Sequence, residues 1–297
     1  MLNLIVAPEN ISHKGEKITK RIVKYLKLKN EEYAVYFSHN LKEVGEFSSS
    51  LTGQGETEFV VIGDDSVIHE FINAAKDLNK IKFGIIPTSK NDNFASFLKI
   101  NSNPIKAIEQ ILERKVENID YLIVNDQKVI NNVLIGASAE LFDIYNNLKV
   151  KNGLTKKFVM MKYGNKFEGI DLRLNSKNFK TKGDTIFDLN ISNGGNHYKK
   201  QMSPLSNIQD GLFNLNYVAI LDKIDRKKYL KKYKKGTQIY DEKTEQYWIE
   251  DLVITPAHPD EKIRTVIDNQ IMLAESIKVN IVENGIKLFK NTHWTKY

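Results

Sequence analysis

The chain has 297 residues, of which 41% are hydrophobic and 27% charged, and its formal net charge is +7. This balance is that of an ordinary globular protein long enough for two domains, so intrinsic disorder is not expected. The absence of cysteine excludes disulfides, thiolate metal sites and cysteine nucleophiles, and it suits a reducing compartment.

Membrane and secretory segments are not expected either. No apolar run approaches the roughly 20 residues of a membrane span. The first eight residues are apolar, but they have only the length of a strand and lack a basic leader, so they do not predict a signal peptide. We therefore expect a cytoplasmic protein whose membrane contact, if it has one, is peripheral.

The first part of the chain alternates strand and helix patterns. The predicted elements are a strand at 2–7, a helix at 17–28, a strand at 33–37, a flexible loop at 48–55, a strand at 59–62, a helix at 66–78, a strand at 82–86 and a helix at 103–114. This order predicts an α/β domain in which helices cover both faces of a parallel sheet. The period changes near residue 120, so we place the α/β domain at 1–120, joined by 285–297, and a second domain at 121–284.

The second part of the chain is mostly β. Apolar residues alternate with polar ones in three runs, which predict strands with one buried face: Phe187, Leu189 and Ile191; Phe213, Leu215 and Tyr217; Ile277, Val279 and Ile281. Turn residues at 125–128 and 175–178 predict hairpins. A helical insert is predicted at 140–163, with a break at Asn152. The second domain should therefore be a β-rich, sandwich-like domain.

One segment concentrates the positive charge. It begins at Arg226, ends at Lys235 and contains seven basic residues, with Tyr229, Leu230 and Tyr233 at helical spacing. The favoured interpretation is a solvated helix whose apolar stripe packs on the domain beneath it. A contact with anionic lipid headgroups is the second interpretation. Nucleic acid is the weakest, because no recognition motif accompanies the charge.

Two strand–loop–helix segments are the most informative feature of the chain. The sequence FVVIGDDSV runs from Phe59 to Val67, and FGIIPTSKNDNFA runs from Phe83 to Ala95. Each apolar strand ends at a short polar loop, which is how an α/β sheet presents loops to a nucleotide. Two such loops, tens of residues apart in the chain, predict one cleft.

These loops resemble those of the diacylglycerol and sphingosine kinase family, which read Gly-Gly-Asp-Gly-Thr and Pro-x-Gly-Thr-x-Asn-Asp-Phe-Ala. Five further segments are similar to family motifs in the same order: APEN at 7–10, NID at 118–120, NGG at 193–195, SPLSNIQDGLF at 203–213 and VIDNQ at 266–270. The resemblance implies the family's fold, which is an α/β domain followed by a β-rich lipid domain. It also implies phosphoryl transfer from ATP to a lipid alcohol, with Mg²⁺, and it allows a homodimer.

The resemblance carries functional roles to matching positions of this chain. The implied catalytic residues are Asp65, Asp268 and Gln270. The implied nucleotide contacts are Ala7, Pro8, Glu9, Asn10, Ser38, Gly63, Asp64, Asp65, Ser66, Val67, Thr88, Ser89 and Lys90. The implied Mg²⁺ ligands are Asn207, Asp210 and Leu212, and the implied interdomain network is Asp92, Asn93 and Asp120.

Several of these positions depart from the family pattern. Asp64, Ser66 and Val67 stand where the family has glycine, glycine and threonine, and glycine there allows positive φ and close approach to phosphate. Gln270 stands where the family has a glutamate, and an amide cannot accept the hydroxyl proton at neutral pH. Asp64 and Asp65 are also explained as the start of a helix, where aspartate is a frequent cap.

The leading interpretation is an ATP-dependent lipid kinase of the diacylglycerol type. The runner-up is a pseudokinase of the same fold that binds nucleotide or lipid without transferring phosphate. NAD kinases share the first loop but lack the second, so they rank third. The histidines have no metal-ligand spacing, and no Walker motif occurs, so a zinc enzyme and a P-loop ATPase are disfavoured.

Overall fold

The computed structural model describes residues 1–9, 13–53, 55–88, 92–149, 153–164, 166–197, 200–219 and 222–290. The chain forms two compact units. Unit 1 comprises Met1–Tyr121, Asn207–Gly211 and the C-terminal segment from Val282, and unit 2 comprises Leu122–Ser206 and Leu212–Ile281. Two strands, β5 (Val116–Val124) and β17 (Ile277–Phe289), contribute residues to both units.

Unit 1 alternates strands and helices along the chain. Its other elements are β1 (Leu2–Val6), α1 (Gly15–Leu28), β2 (Tyr33–Phe37), α2 (Leu41–Leu51), β3 (Thr57–Gly63), α3 (Asp65–Ala74), a 3₁₀ turn (Leu78–Lys80), β4 (Ile81–Pro87), α4 (Asn93–Phe97) and α5 (Pro104–Leu112). The strands pair in parallel in the order β4-β3-β1-β2, and the end of β17 pairs in parallel with β4. The predicted α/β architecture is therefore confirmed.

Helices cover both faces of this sheet. On one face, α1 and α5 pack on the strands through a core that includes Leu4, Ile22 and Ile108. On the other face, Phe71 of α3 lies edge-on between Phe59 of β3 and Phe83 of β4, with ring centroids 5.1 and 5.5 Å apart. Strands β1, β3 and β4 are therefore buried on both sides, which explains their continuous apolar sequences, whereas the edge strand β2 is partly exposed.

Two local predictions for this unit are wrong. The loop expected at 48–55 begins inside helix α2, because Asn40 caps that helix and the buried Ser48 hydroxyl donates to the Phe71 carbonyl oxygen at 2.7 Å. The helix expected to reach residue 78 ends at Ala74. Asp77 then accepts from the Asn79 amide and starts the 3₁₀ turn that buries Leu78.

Unit 2 is mainly an antiparallel sheet. Its elements are β6 (Gln127–Val129), β7 (Asn132–Gly136), α6 (Ala137–Asn146), α7 (Gly153–Lys162), β8 (Ile170–Asn175), β9 (Asp184–Ser192), β10 (Asn196–His197), β11 (Lys200–Gln201), β12 (Phe213–Ala219), α8 (Lys223–Lys235), a 3₁₀ turn (Gln238–Tyr240), β13 (Thr244–Ile249), β14 (Asp251–Pro256), β15 (Ile263–Ile267) and β16 (Gln270–Ala274). The main order is β16-β15-β7-β9-β8-β14-β17, and β12 pairs with β9 and β13. The β-rich prediction is confirmed.

Strand β9 departs from the predicted alternation. The register with β12 shifts by one residue at Val218, which is a β-bulge. Leu189 and Ile191 therefore lie in the main core, whereas Phe187 packs against Tyr229 of α8 on the other side. Because α8 covers that side, Asp188 of β9 is also buried, and the strand has two buried faces instead of one.

The three helices of unit 2 share a second cluster, which we call the helix cluster. It contains Leu141 of α6, Val159 of α7, and Tyr229, Leu230 and Tyr233 of α8. The apolar stripe of the basic helix therefore packs inward, as predicted. No helix in the described ranges combines the length and the apolar character needed to cross a membrane.

Candidate functional site

The predicted phosphate-side loops lie at the point where the strand order of unit 1 reverses. The chain leaves β1 toward β2 on one side, while β3 and β4 continue on the other. Ligands of open α/β sheets bind at this switch point, beyond the carboxyl ends of the strands. The Ala7 amide donates to the Ile62 carbonyl oxygen at 2.8 Å, which joins the first residue after β1 to the carboxyl end of β3. Asn10, Ser89 and Lys90 lie outside the described residues.

The neighbouring residues of these loops differ in exposure. Pro8 is buried and Glu9 is exposed. Ser38 follows β2 and is buried, and its hydroxyl donates to the Val6 carbonyl oxygen. Thr88 follows β4 and is also buried.

The first loop consists of a single residue, Asp64, between β3 and α3. The Asp64 carboxylate accepts from the Ser66 hydroxyl at 2.6 Å and from the Ser66 and Val67 amides at 3.2 and 3.3 Å. These are first-turn amides of the kind that hold phosphate when a helix begins at a nucleotide site. In this protein the helix terminus is therefore closed by its own side chain.

Gly63 is required for packing and not for a left-handed backbone. Gly63 is not among the described residues with positive φ. A Cβ atom at Gly63 would lie 2.6 Å from the Cβ atom of Val67. The β-branched Val67 is fully buried against the glycine, so helix α3 lies close to the end of β3.

Asp65 connects the first loop to the second. Its carboxylate is fully buried and accepts from the Asn93 amide at 3.1 Å and the Phe94 amide at 3.0 Å, at the start of α4. These bonds give Asp65 the role of holding the helix that follows the second loop, and its catalytic role stays a prediction. Asp92 and Asn93, on the same turn, are both buried.

Unit 1 also contains a cationic cavity that the motif comparison did not find. Its volume is about 290 Å³, and it is lined by Lys14, Lys17, Ile18, Arg21, Pro87, Thr88, Ser102 and Pro104. The sequence signal is the spacing of the three basic residues, which places them on one face of a helix directly after the 7–10 loop. Thr88 is the one residue of this cavity among the predicted nucleotide contacts.

Helix α1 begins beside this cavity, and no side chain of the described residues caps its N-terminus. Lys14 occupies the cap position and makes no side-chain hydrogen bond to the first turn. A helix N-terminus attracts anions through its free amides and the helix dipole, and basic side chains add to the attraction. Within the described residues, the start of α1 therefore lacks the side-chain cap that closes the start of α3.

Asp120 organises the predicted metal loop. Its carboxylate accepts from the Gly211 amide at 2.9 Å and from the Asn284 amide at 2.7 Å, and its own amide donates to the Ile208 carbonyl oxygen. All four residues belong to unit 1. Gly211 has a φ of +71°, and a Cβ atom there would lie 2.8 Å from Glu283, so only glycine fits this turn.

The predicted Mg²⁺ ligands suit that ion by type. Asp210 is exposed, and a carboxylate with the carbonyl oxygens of Asn207 and Leu212 is a set of hard oxygen donors. The Asn207 side chain accepts from the Gln209 amide at 3.2 Å. Within the described residues, no group of three or more His, Asp or Glu side chains is placed to hold a metal ion. The Mg²⁺ site stays a prediction.

Asp268 and Gln270, in unit 2, have different surroundings. Asp268 is fully buried with a φ of +42°, and its carboxylate accepts from the amides of Ile130, Asn131 and Asn132 at 2.9–3.1 Å. The Gln270 side-chain nitrogen is buried without a hydrogen-bond partner in the described part of the chain. Asp268 therefore fixes the loop before β7, while Gln270 leaves a donor unsatisfied. Their catalytic roles stay predictions.

Unit 2 holds a buried carboxylate that the sequence analysis did not single out. Asp188 accepts from the Ser138 amide at 2.9 Å and from the Tyr229 hydroxyl at 2.8 Å. Burial is the main cause that raises the pKa of Asp188, and the hydrogen bonds from Ser138 and Tyr229 oppose it. The same burial, together with the Asp188 charge, raises the pKa of Tyr229. This pair joins α8 to β9 beneath the helix cluster.

The raised pKa of Asp188 predicts how stability depends on pH. The folded protein binds this proton more tightly than the unfolded chain, so the free energy of unfolding falls as pH rises from the unfolded pKa toward the folded one. We expect Asp188→Asn, which cannot ionise, to be more stable than wild type at pH 7 by on the order of 1 kcal/mol. The gap should close near pH 4. Urea denaturation at both pH values measures it, and a gap that widens at low pH would contradict the assignment.

Residues 1–124 match the family model for the diacylglycerol kinase catalytic domain. This match confirms the resemblance seen in the motifs. A protein assigned as a lipid kinase in Staphylococcus carnosus (strain TM300) is 29% identical over 99 residues, which are 32% of this chain and 32% of that protein. Another, in Staphylococcus haemolyticus (strain JCSC1435), is 28% identical over 121 residues, which are 39% of each. The matched stretches thus span only about a third of the length of these curated relatives.

Solved structures share the fold over nearly the whole chain. A diacylglycerol kinase from Bacillus anthracis str. Sterne has a TM-score of 0.73 at 14% identity and covers 98% of this chain and 97% of its own. An NAD kinase from Archaeoglobus fulgidus in complex with ATP has a TM-score of 0.53 at 13% identity, with 98% and 94% covered. At these identities the likeness concerns the fold alone. The predicted fold class is confirmed.

Proposed function

We propose that the protein is an ATP-dependent lipid kinase of the diacylglycerol type whose unit 1 binds the nucleotide phosphates. The observation that carries the proposal is the cationic cavity of Lys14, Lys17 and Arg21 beside the start of α1. It lies in the unit that matches the diacylglycerol kinase model. Its lipid substrate would stay in the bilayer, so the protein is proposed to act at the cytoplasmic surface of a membrane.

Charge supports binding of a polyphosphate at this cavity. The triphosphate of ATP carries several negative charges at neutral pH, and three basic side chains together with the positive end of the α1 dipole offset them. Thr88 adds a hydroxyl at the end of β4. The Archaeoglobus NAD kinase, which shares the fold, was solved with ATP bound, and this also supports a nucleotide role for unit 1.

The chemistry assigns separate tasks to this chain's residues. Transfer of a γ-phosphoryl group requires held phosphates and a positioned acceptor hydroxyl. Lys17 and Arg21 would hold phosphate oxygens. Asp65 would fix the second loop relative to the first through its hydrogen bonds from the Asn93 and Phe94 amides. Mg²⁺, when bound through Asp210 and the carbonyl oxygens of Asn207 and Leu212, would supply the fixed positive charge that organises this loop.

A specific observation favours the second candidate, which is a pseudokinase that binds nucleotide without transfer. Asp64 occupies the α3 amides with its own carboxylate, and a carboxylate close to a phosphate repels it. Gln270 adds an amide where the family has a base. Asp64 and Gln270 would weaken phosphoryl transfer more than they would weaken nucleotide binding at the cationic cavity beside α1.

Nucleotide binding is tested by thermal denaturation. Millimolar ATP with Mg²⁺ should raise the melting temperature by a few °C, since a ligand at 100 times its Kd stabilises the folded state by about 2.7 kcal/mol. Lys17→Gln/Arg21→Gln should abolish most of the shift, because it removes two of the three charges of the cavity. Lys20→Gln/Lys24→Gln is the matched control on the same helix, since neither residue lines the cavity.

The outcome separates the two candidates. A shift together with phosphate transfer to a diacylglycerol, ceramide or sphingoid base supports the kinase. A shift without transfer to any lipid of that panel selects the pseudokinase. Absence of a shift at millimolar nucleotide, or equal loss in the control variant, overturns nucleotide binding at this cavity.

A further inference from the structure

We infer that helices α7 and α8 of unit 2 form a docking surface for an anionic lipid bilayer. The inference rests on the proposed function, in which the substrate stays in a membrane, and it adds the surface that reaches it. We call the outward faces of these two helices the docking surface. Its parts are an exposed apolar pair on α7 and a row of lysines on α8.

Helix α7 exposes two large apolar side chains on one face. Leu154 is 80% exposed and Phe158 is 56% exposed, and the four-residue spacing places them one above the other. Lys162 continues this face, with its Nζ atom 5.4 Å from the centre of the Phe158 ring. Val159 and Met160, on the opposite face, are buried in the helix cluster. Helix α7 therefore exposes Leu154 and Phe158 to solvent, although its inner face already packs on the helix cluster through other apolar side chains.

Helix α8 exposes positive charge on its outward face. Its exposed lysines without an ion pair in the described part of the chain are Lys223, Lys227, Lys231, Lys234 and Lys235. Lys228 and Lys232 are paired, with Asp225 at 3.2 Å and Asp241 at 2.9 Å. Ile224 lies among the unpaired lysines and is 66% exposed. The outward face thus combines unneutralised charge with an apolar side chain.

The two helices pack on the same hydrophobic cluster of unit 2. Val159 of α7 and Leu230 of α8 share the helix cluster, and the Arg226 guanidinium donates to the Phe167 carbonyl oxygen at 2.8 Å, just after α7. Their inner faces are therefore fixed to the same core. Both outer faces point away from it.

A bilayer is the partner that uses both features of this surface. Lysines near an anionic membrane attract its headgroups, and Leu or Phe side chains enter the boundary between headgroups and acyl chains. A nucleic acid would use the lysines but not the Leu154–Phe158 pair. The charge and the apolar pair together therefore favour an anionic lipid surface.

Sedimentation with vesicles tests the docking surface without nucleotide. We expect binding to vesicles of phosphatidylcholine with phosphatidylglycerol, release by salt, and little binding to phosphatidylcholine alone. Lys227→Gln/Lys231→Gln/Lys235→Gln should weaken binding about 100-fold, at roughly five-fold per lysine. Leu154→Ser/Phe158→Ser should weaken it about ten-fold or more.

Matched controls on unit 1 separate a local surface from net charge and general hydrophobicity. Lys20→Gln/Lys24→Gln/Lys27→Gln removes the same charge from exposed positions of α1. Leu28→Ser/Phe37→Ser removes two other exposed apolar side chains. Both controls should bind as wild type does. Losses equal to those of the docking-surface variants would overturn the proposal.

A fluorescent label gives a second measurement that does not depend on weakened binding. The chain has no cysteine, so Phe158→Cys and Leu28→Cys each accept one environment-sensitive dye. The dye at residue 158 should shift to the blue on anionic vesicles, and the dye at residue 28 should not. A shift at both positions or at neither overturns the docking surface.

This test is distinguishable from a test of kinase activity. Phosphate transfer to a water-soluble short-chain diacylglycerol without vesicle binding would overturn the docking surface and support the proposed kinase activity. Vesicle binding that follows the predicted variants, without transfer to any lipid, would support the docking surface and overturn the kinase.

Discussion

The double variant Asp64→Gly/Gln270→Glu should transfer phosphate at least 10²-fold faster than the natural chain. Asp64→Gly frees the Ser66 and Val67 amides at the start of α3 and removes a carboxylate from beside the proposed phosphate site. Glycine is itself an acceptable cap, so the helix should lose only a few tenths of a kcal/mol. Gln270→Glu supplies a proton acceptor, and a positioned general base contributes about 10²- to 10⁴-fold.

The two single variants show whether the changes act on one transition state. If they do, their effects will not simply add, and the double variant will exceed either one. Asp64→Asn is the matched control, because asparagine removes the charge but still caps the helix amides. A gain in Asp64→Gly that Asp64→Asn lacks assigns the effect to the freed amides. Steady-state transfer from ATP to diacylglycerol measures all of them, and Asp65→Asn should abolish whatever activity the natural chain has.

Two outcomes would contradict this explanation. A natural chain that already turns over at a rate typical of kinases means that Gln270 is not limiting and that Asp65 or Asp268 is the candidate base. An inactive double variant means that the site has diverged more widely. The next positions to restore would then be Asp92 with Asn93, and the 7–10 loop.

Asp268→Ala should lower the free energy of unfolding by about 3 kcal/mol or more. The substitution leaves the buried amides of Ile130, Asn131 and Asn132 without their carboxylate acceptor, and each unsatisfied buried group costs about 1–3 kcal/mol. Asp268→Asn keeps one acceptor oxygen, so its loss should be about half as large. Chemical denaturation, followed by circular dichroism, measures both.

The same pair of variants separates a structural role for Asp268 from a catalytic one. A structural residue predicts that activity, measured well below the melting temperature, follows the folded fraction in both variants. A loss of turnover in Asp268→Asn with nearly unchanged stability would instead make Asp268 the candidate base. Unchanged stability in Asp268→Ala would contradict the role drawn from its three hydrogen bonds.

The architecture of both units follows from local sequence patterns. Apolar runs such as 59–62 and 82–86 predict buried parallel strands, because only a sheet covered on both faces needs uninterrupted apolar residues. The alternation in 213–217 predicts a strand of the second unit. The loop motifs also indicated the family, since the loops keep their order along the chain even where single residues have changed.

The roles of the individual site residues depend on contacts between distant parts of the chain. Whether Asp64 faces a ligand or its own helix depends on the one-residue link between β3 and α3. Asp65 and Asp268 accept hydrogen bonds from amides that are distant in sequence. The same holds for Phe187, whose side is set by a register shift with β12. Hydrogen bonds and bulges form between segments far apart in the chain. A local sequence pattern indicates whether a segment is a helix or a strand, but it does not indicate which distant segment that element contacts. The hydrogen-bond partners of these carboxylates are therefore defined only in the folded protein.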